Sequence, residues 1–316
     1  MSFVEVRAPG LLTTVQDLGR EGFGPLGISP SGAADPVALR IGNRLVGNAQ
    51  SAAGLEMTLL GGTFVFPERT EIALTGADFH PTLDNAAVDM WCSVEVRAGQ
   101  TLQLEATRTS ARCYLCVRGG IEVKLFLGSS STHLLSGLGG FEGRALRKGD
   151  VLKIGTRGGS FRTFRKRSVA RRALETLAPR KVLRVTAGPQ SERFSEVAQK
   201  TFYAGSYRVA EESNRMGLRL EGAAITAGSA GEMISEGVTL GAIQITAGGL
   251  PIILFVEQQT TGGYPKISNV ISADLRSLGQ LRPRDEIRFE RVEMEKALTL
   301  LLEQEKLLAS KELILE

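Results

Sequence analysis

Apolar positions two residues apart recur through most of this chain. The stretches "FVEVRA", "GGTFVFP", "TEIALTG", "CSVEVRAGQTLQLEA" and "RCYLCVRGG" alternate apolar and polar residues or carry β-branched runs, and Gly, Pro, Asn or Asp separates them. That period puts successive side chains on opposite faces of a half-buried strand. One turn-to-strand unit appears three times, as "AGQTLQL" (98–104), "KGDVLKI" (148–154) and "PRDEIRF" (283–289). Each sets a turn pair ahead of apolar positions two apart. Their spread along the chain predicts related β lobes rather than one open sheet.

Helical spacing is rare. In "DPVALRIGNRLVGN", Asp35 is the expected N-cap, Pro36 fills the first helical position, and Val37, Ile41 and Leu45 share a face. Gly47 and Asn48 supply a stop. A second helix is predicted over 191–201, and a third begins near 272–274. A long charged helix is predicted over about 293–313, with Met294, Leu298, Leu301 and Leu308 near one face that packs on the body or on a partner. The expected organisation is mainly β: an N-terminal lobe over 1–160, a basic linker over 161–181, a C-terminal lobe over 182–291 and the helix over 292–316.

Composition narrows this picture. The 37 glycines favour tight turns and short strands, and a net charge of +4 is too small for a chain-wide polyanion binder. The stretch "RGGSFRTFRKRSVARRALETLAPRK" (157–181) is basic and carries Phe161 and Phe164. No second basic patch accompanies it, so it reads as the inter-lobe linker, helical over 168–177, and not as a nucleic-acid surface. Three cysteines, Cys92, Cys113 and Cys116, cannot all pair and sit in apolar runs, as reduced buried thiols do. The longest apolar run, 250–256, is too short to cross a bilayer. No targeting segment precedes the first strand, and a cytoplasmic protein without a membrane partner is expected.

Several motifs fail on inspection. "GFGPLG" (22–27) matches GxGxxG, but Pro25 interrupts it and "ISPSGAAD" follows as loop, where a dinucleotide site needs a strand before and a helix after. There is no GxxxxGK[ST] phosphate loop. The thiols of "CYLC" lie three apart on a strand and face opposite sides, so they cannot share a metal. With only His80 and His133 besides, no metal site is expected. A biotin-carrying lysine hairpin is also missing.

Four segments are rich in polar residues that folding alone is not expected to require: 8–48, "LGSSSTHLLSGLGGFEGRAL" (127–146), "AEESNRMGLRLEG" (210–222), and "SEGVTLGAIQIT" through "EQQTTGGYPKISNVISADL" (235–275). In order and together they resemble the family that comprises allophanate hydrolase subunit 2, the C-type subunit of 5-oxoprolinase and KipA-type proteins, over about 6–289. The same module forms part of the carboxyltransferase region of urea carboxylase. The resemblance implies two cyclophilin-like β-barrel lobes. It also implies a small kinase-inhibitor-type companion (the B-type subunit of 5-oxoprolinase), and often a third subunit. Three departures stand out: Ala34 replaces a usual Met, Ser130 a usual Arg, and "PRDEIRF" the commoner Pro-Gly-Asp turn.

The reaction implied is ATP-dependent opening of the cyclic lactam 5-oxoproline to glutamate, by phosphorylation of the amide oxygen and attack of water. Two alternatives stay open: a biotin-dependent carboxyltransferase acting on urea or another amide, with biotin on a separate carrier, and a non-enzymatic antagonist of a sensor-kinase inhibitor. The candidate site centres on the polar turn after the apolar run "LPIILFVE", which is expected to carry that turn to a barrel rim. There Gly262 and Gly263 would present backbone N–H groups, and Gln258, Gln259, Thr260, Thr261 and Tyr264 neutral donors and acceptors. Lys266 supplies a point charge, Arg215 a carboxylate-binding fork, and Asn214 an amide reader. Both Lys266 and Arg215 follow turns, so neither is expected to support core packing. Glu236 is a candidate base if partly buried, or the partner of a nearby arginine. Ser31 and Asp35 are candidates for substrate binding, or simply a turn residue and a helix cap.

Lacking a phosphate loop and a carrier lysine, the isolated chain should neither bind ATP tightly nor carry biotin. Calorimetry with ATP and an avidin blot check this; sub-micromolar ATP binding would contradict it.

Overall fold

The computed structural model describes residues 2–156, 164–228 and 233–316. It is mainly β, with 19% of the chain helical, and forms two compact units: 1–20, 31–177 and 307–316 make the first, 21–30 and 178–306 the second. Among the described residues no helix is long and apolar enough to cross a membrane.

Two antiparallel sheets build the first unit, one of seven strands and one of five. Alternation in the sequence explains the layers. Val4, Val6, Phe64, Phe66, Leu102, Leu152, Ile72, Leu74 and Leu115 point into one core. The helix Pro36–Leu45 covers a second core with Ala73, Tyr114 and Cys116. Cys113 belongs to the first of these cores and Cys116 to the second, so the "CYLC" thiols do face opposite sides. Asp35 caps that helix, accepting from the Ala38 N–H at 3.0 Å.

Seven strands close a barrel in the second unit, in the order Val182–Ala187, Lys266–Val270, Ala242–Ile245, Pro251–Leu254, Gly217–Glu221, Tyr207–Val209 and Glu286–Arg291. The closing pair is parallel, with Val182 opposite Arg288. Closure removes the edges that an open sheet would leave unpaired. Leu218, Ile243, Ile253 and Ile267 fill the interior, and Phe202 stacks on Phe289 with ring centroids 4.6 Å apart.

Local boundaries differ from the sequence reading where capping decided them. The region expected as one helix over 191–201 is a short 3-10 turn, Ser191–Arg193, followed by a helix at Glu196–Ala204 that Ser195 caps. Within the basic stretch, 157–163 (with Phe161) lie outside the described residues. Ser168–Val169 pairs as a strand with Ile314–Leu315, and only Arg171–Thr176 is helical. The last helix, Met294–Ala309, turns Ala297 and Leu300 toward Ile271, Ala273 and Val292. Of the residues expected on the packed face, Leu308 is buried, whereas Met294 and Leu298 lie with Leu302 on the exposed side.

The recurring turn is one device used three times. Gln100, Asp150 and Asp285 each accept from the backbone N–H three residues earlier, of Arg97, Arg147 and Arg282, at 2.7, 2.7 and 3.0 Å. In each case the residue just before the acceptor is left-handed: Gly99 at φ 85°, Gly149 at 93° and Arg284 at 71°. Glycine carries no steric penalty there, whereas an L side chain costs about 1–2 kcal/mol.

Arg284→Gly should therefore stabilise the protein, by roughly 0.5–1 kcal/mol once the entropy of the unfolded glycine is deducted. The exposed Arg284–Glu211 ion pair that is lost offsets little of this. Denaturant unfolding measures it; equal or lower stability would show that the turn is not strained.

Candidate functional site

Alternation across the second barrel divides its residues into an interior row and an outer row. Leu218, Ile253 and Ile243 stand in register as interior partners, and the next row is Arg219, Ile252, Gln244 and Lys266. Two members of this outer row, Gln244 and Lys266, are nonetheless 1% and 3% exposed. A polar residue at an outward position is ordinarily solvated, so something must cover them.

The cover is the segment after the Pro251–Leu254 strand. That strand stops at Leu254, short of the expected 257, and 255–260 run as loop. The loop is pinned at its start. The Phe255 and Glu257 N–H groups donate to the carbonyls of Met216 and Arg215 at 2.9 and 2.8 Å. Arg215 Nε and Glu257 Oε1 form an ion pair at 2.5 Å, with both residues buried. Thr261–Gly262 then pairs with Glu236–Gly237 as a two-residue ribbon. Gly262 lies against the outer row: a Cβ there would stand 2.5 Å from Gln244 Nε2 and 3.0 Å from Gln259 Nε2. Neither Gly262 nor Gly263 has a positive φ. At 262 the requirement is for space, not for a left-handed backbone.

Lys266 is the charged centre of this arrangement. Its Nζ lies 2.6 Å from Glu236 Oε1, its sole ionic partner among the described residues. Gln190, in the turn after Val182–Ala187, ties the pair together: its Oε1 accepts from the Lys266 backbone N–H at 3.2 Å, and its Nε2 donates to Glu236 Oε1 at 2.7 Å. Glu236 itself is exposed, and hydrogen bonds from Lys266 and then Gln190 hold its carboxyl below the usual range. The condition set for a base, partial burial, fails, and a depressed pKa weakens it further as a proton acceptor. Among the described residues Glu236 forms its ion pair with a lysine, and Arg193 adds a weaker pull in the same direction.

Beside the row lies a cavity of about 230 Å³, lined by Asn214, Arg219, Gln244, Gln259 and Tyr264 among others. Asn214 is exposed, and its Oδ1 accepts from the N–H groups of Met216 and Gly217 at 2.8 and 3.4 Å, which leaves its amide nitrogen for the cavity. Gln258 is buried, donates weakly to the Val238 carbonyl at 3.4 Å, and leaves Oε1 without a partner among the described residues. Thr260 accepts at its carbonyl from the Val238 N–H, and Thr261 is exposed on the ribbon. Tyr264 is half-exposed and also walls a second cavity of about 360 Å³.

Not every expected residue belongs here. The Arg215 fork is turned to Glu257, and neither Arg215 nor Lys266 is a surface-loop residue. Ser31 and Asp35 belong to the first unit. There the Ser31 hydroxyl donates to the Thr132 carbonyl at 2.7 Å, and Asp35 caps its helix while its own N–H donates to Tyr114 Oη. Part of the polar wealth of 8–48 and 127–146 is used by the fold: the buried Asp17 carboxylate accepts from Ser129 and Ser131 hydroxyls and from the Ser130 and Gly19 N–H groups. Sequence reasoning missed Gln244, Gln190 and Glu257. The signal for Gln244 was available, since it is the one amide in the strand "AIQI", at the outward phase.

Among the described residues no group of three His, Cys, Asp or Glu side chains is placed to hold a metal. A family model described as carboxyltransferase domain, subdomain A and B, matches residues 26–291. The chain is 39% identical over 289 residues to the C-type subunit of 5-oxoprolinase from Escherichia coli (strain K12), covering 92% of this chain and 91% of the relative. It is 34% identical to urea amidolyase of Saccharomyces cerevisiae, covering 90% of this chain but only 16% of that protein. The crystal structure of the K. lactis urea amidolyase superimposes with a TM-score of 0.89 at 31% identity, over 99% of this chain and 21% of that one.

Removing one partner of a buried ion pair leaves an uncompensated charge, a loss of about 3–5 kcal/mol. Arg215→Ala should thus destabilise the protein by roughly 3 kcal/mol, and Arg215→Met combined with Glu257→Leu by clearly less. Chemical denaturation of the single and double variants checks this. A single variant as stable as wild type would mean that the pair does not anchor the loop.

Proposed function

The chain belongs to the carboxyltransferase domain family, subdomains A and B, and on that premise we propose that it is a subunit of an ATP-dependent 5-oxoprolinase, opening 5-oxoproline to glutamate in the cytoplasm. The near-full-length likeness to a protein named as such a subunit supports this choice over the urea enzymes, of which the chain spans about a fifth. One observation carries the chemical part of the reading: Lys266, an ammonium group 3% exposed, stands in the outer row in register with Gln244, and Gln244 lines the cavity.

Attack of water on a lactam carbonyl drives negative charge onto its oxygen. An ammonium fixed out of water stabilises that charge far more than one in bulk solvent. Lys266 is our catalytic residue for this role. Glu236 is its counter-ion: held deprotonated by Lys266 and Gln190, it balances the charge while the site is empty. Arg215 is a positioning residue, acting through Glu257 on the loop. Of that loop, Gln259 and Tyr264 line the cavity with Asn214 and would hold the lactam, while Gln258, Thr260, Thr261, Gly262 and Gly263 would shape the loop around it.

The stretch over 22–27 does not fit ATP. "GFGPLG" contains the 3-10 turn Gly24–Leu26 where a phosphate site needs a strand-to-helix turn. We assign the ATP-dependent step to the small companion subunit or to a third one. A second reading, carboxyl transfer from a biotin carrier to urea, is favoured by the likeness to urea amidolyase.

The test is glutamate formation from 5-oxoproline and ATP by the chain copurified with its companion. Lys266→Ala should lower turnover by about a hundredfold or more, as loss of a charge at a developing oxyanion does. Wild-type turnover in that variant would remove Lys266 from the mechanism. Bicarbonate-dependent consumption of urea, with no glutamate formed, would favour the second reading.

A further inference from the structure

Gln244 lines the cavity, is 1% exposed, and has an Nε2 that meets no acceptor among the described residues. Buried side-chain amides are nearly always hydrogen-bonded, because leaving one unpaired in a low-dielectric setting is costly. No packing argument explains an amide here: its in-register neighbour Ile252 shows that an aliphatic side chain suits this row.

We propose that Gln244 is the specificity-determining residue of the cavity and that it selects amides whose C=O and N–H lie on one edge. A primary carboxamide offers a donor, Nε2–H, and an acceptor, Oε1, side by side. A lactam or a urea presents the complementary acceptor and donor side by side, so the two pair through two parallel hydrogen bonds. An open-chain secondary amide is trans and points its C=O and N–H in opposite directions, so it makes one of the bonds at most. The surroundings of Gln244 fit a flat guest of this kind. Gly262 covers Nε2 with no side chain, and the ribbon that carries it is paired over two residues only. A ligand edge therefore reaches the amide by displacing a glycine backbone and not a packed side chain. Lys266 stands in register with Gln244 on the neighbouring strand.

This inference rests on the lactam reading above for its natural ligand, and ligand-observed NMR titration of the full chain separates the two. The probes are 5-oxoproline, its N-methyl derivative and urea, each with wild type and with Gln244→Met. Expected is binding of 5-oxoproline to wild type, weakened about tenfold by either N-methylation or Gln244→Met, the loss of roughly one or two hydrogen bonds. The N-methyl probe needs no variant, so it holds even if Gln244→Met folds poorly. Equal binding of 5-oxoproline and its N-methyl derivative would overturn the role of Gln244 and leave the lactam reading standing. Gln244-dependent binding of urea without binding of 5-oxoproline would keep the residue's role and overturn the lactam reading. Binding of none of the probes would overturn both.

Discussion

The C-terminal site depends on an ion pair with almost no access to water. Arg215 and Glu257 hold the start of the 255–265 segment against the barrel, and everything the segment presents follows from that anchor. Desolvating two charges is expensive, and such a pair rarely gains stability over apolar residues of the same size. What it does is make one loop position far better than the others, since any displacement strands a buried charge. That position sets Gly262 over Gln244 and Tyr264 at the cavity wall.

Two polar clusters in this protein look alike in sequence and differ in physics. In the first unit the Asp17 carboxylate accepts from four donors, and Ser31 and Asp35 are engaged by neighbouring backbone. Both oxygens of that carboxylate are engaged by the fold itself. In the second unit Gln244 Nε2 and Gln258 Oε1 have no partner among the described residues, and the buried Lys266 ammonium meets a single exposed carboxylate. Unspent hydrogen-bonding capacity beside a cavity, not polarity itself, marks the candidate site.

Much of the fold was legible because it depends on local spacing. Alternation located the strands, Asp35-Pro36 located the helix start, and the three turn units carried over as one hydrogen-bonding device with a left-handed residue before the acceptor. The misreadings came where a competing local partner decided the outcome. Ser195 offered a better cap than Ser191, and Ser168–Val169 found a strand in Ile314–Leu315, far along the chain.

The chain's order of residues determined that "EQQTTGGYPK" would crowd donors and acceptors at the end of a buried strand, because composition and period are properties of neighbours. It could not determine which of those groups remain free. Arg215 and Glu257 are 42 residues apart, and Lys266 and Glu236 are 30 apart; only the pairing of Gly217–Glu221 with Pro251–Leu254 and the two-residue ribbon bring them together. The same tertiary pairing set Arg215 against a carboxylate, and it left Glu236 exposed and Gln244 Nε2 buried with no partner among the described residues. A hydrogen bond is formed or withheld at about 3 Å, and distances of that kind exist only once the strands have found their register.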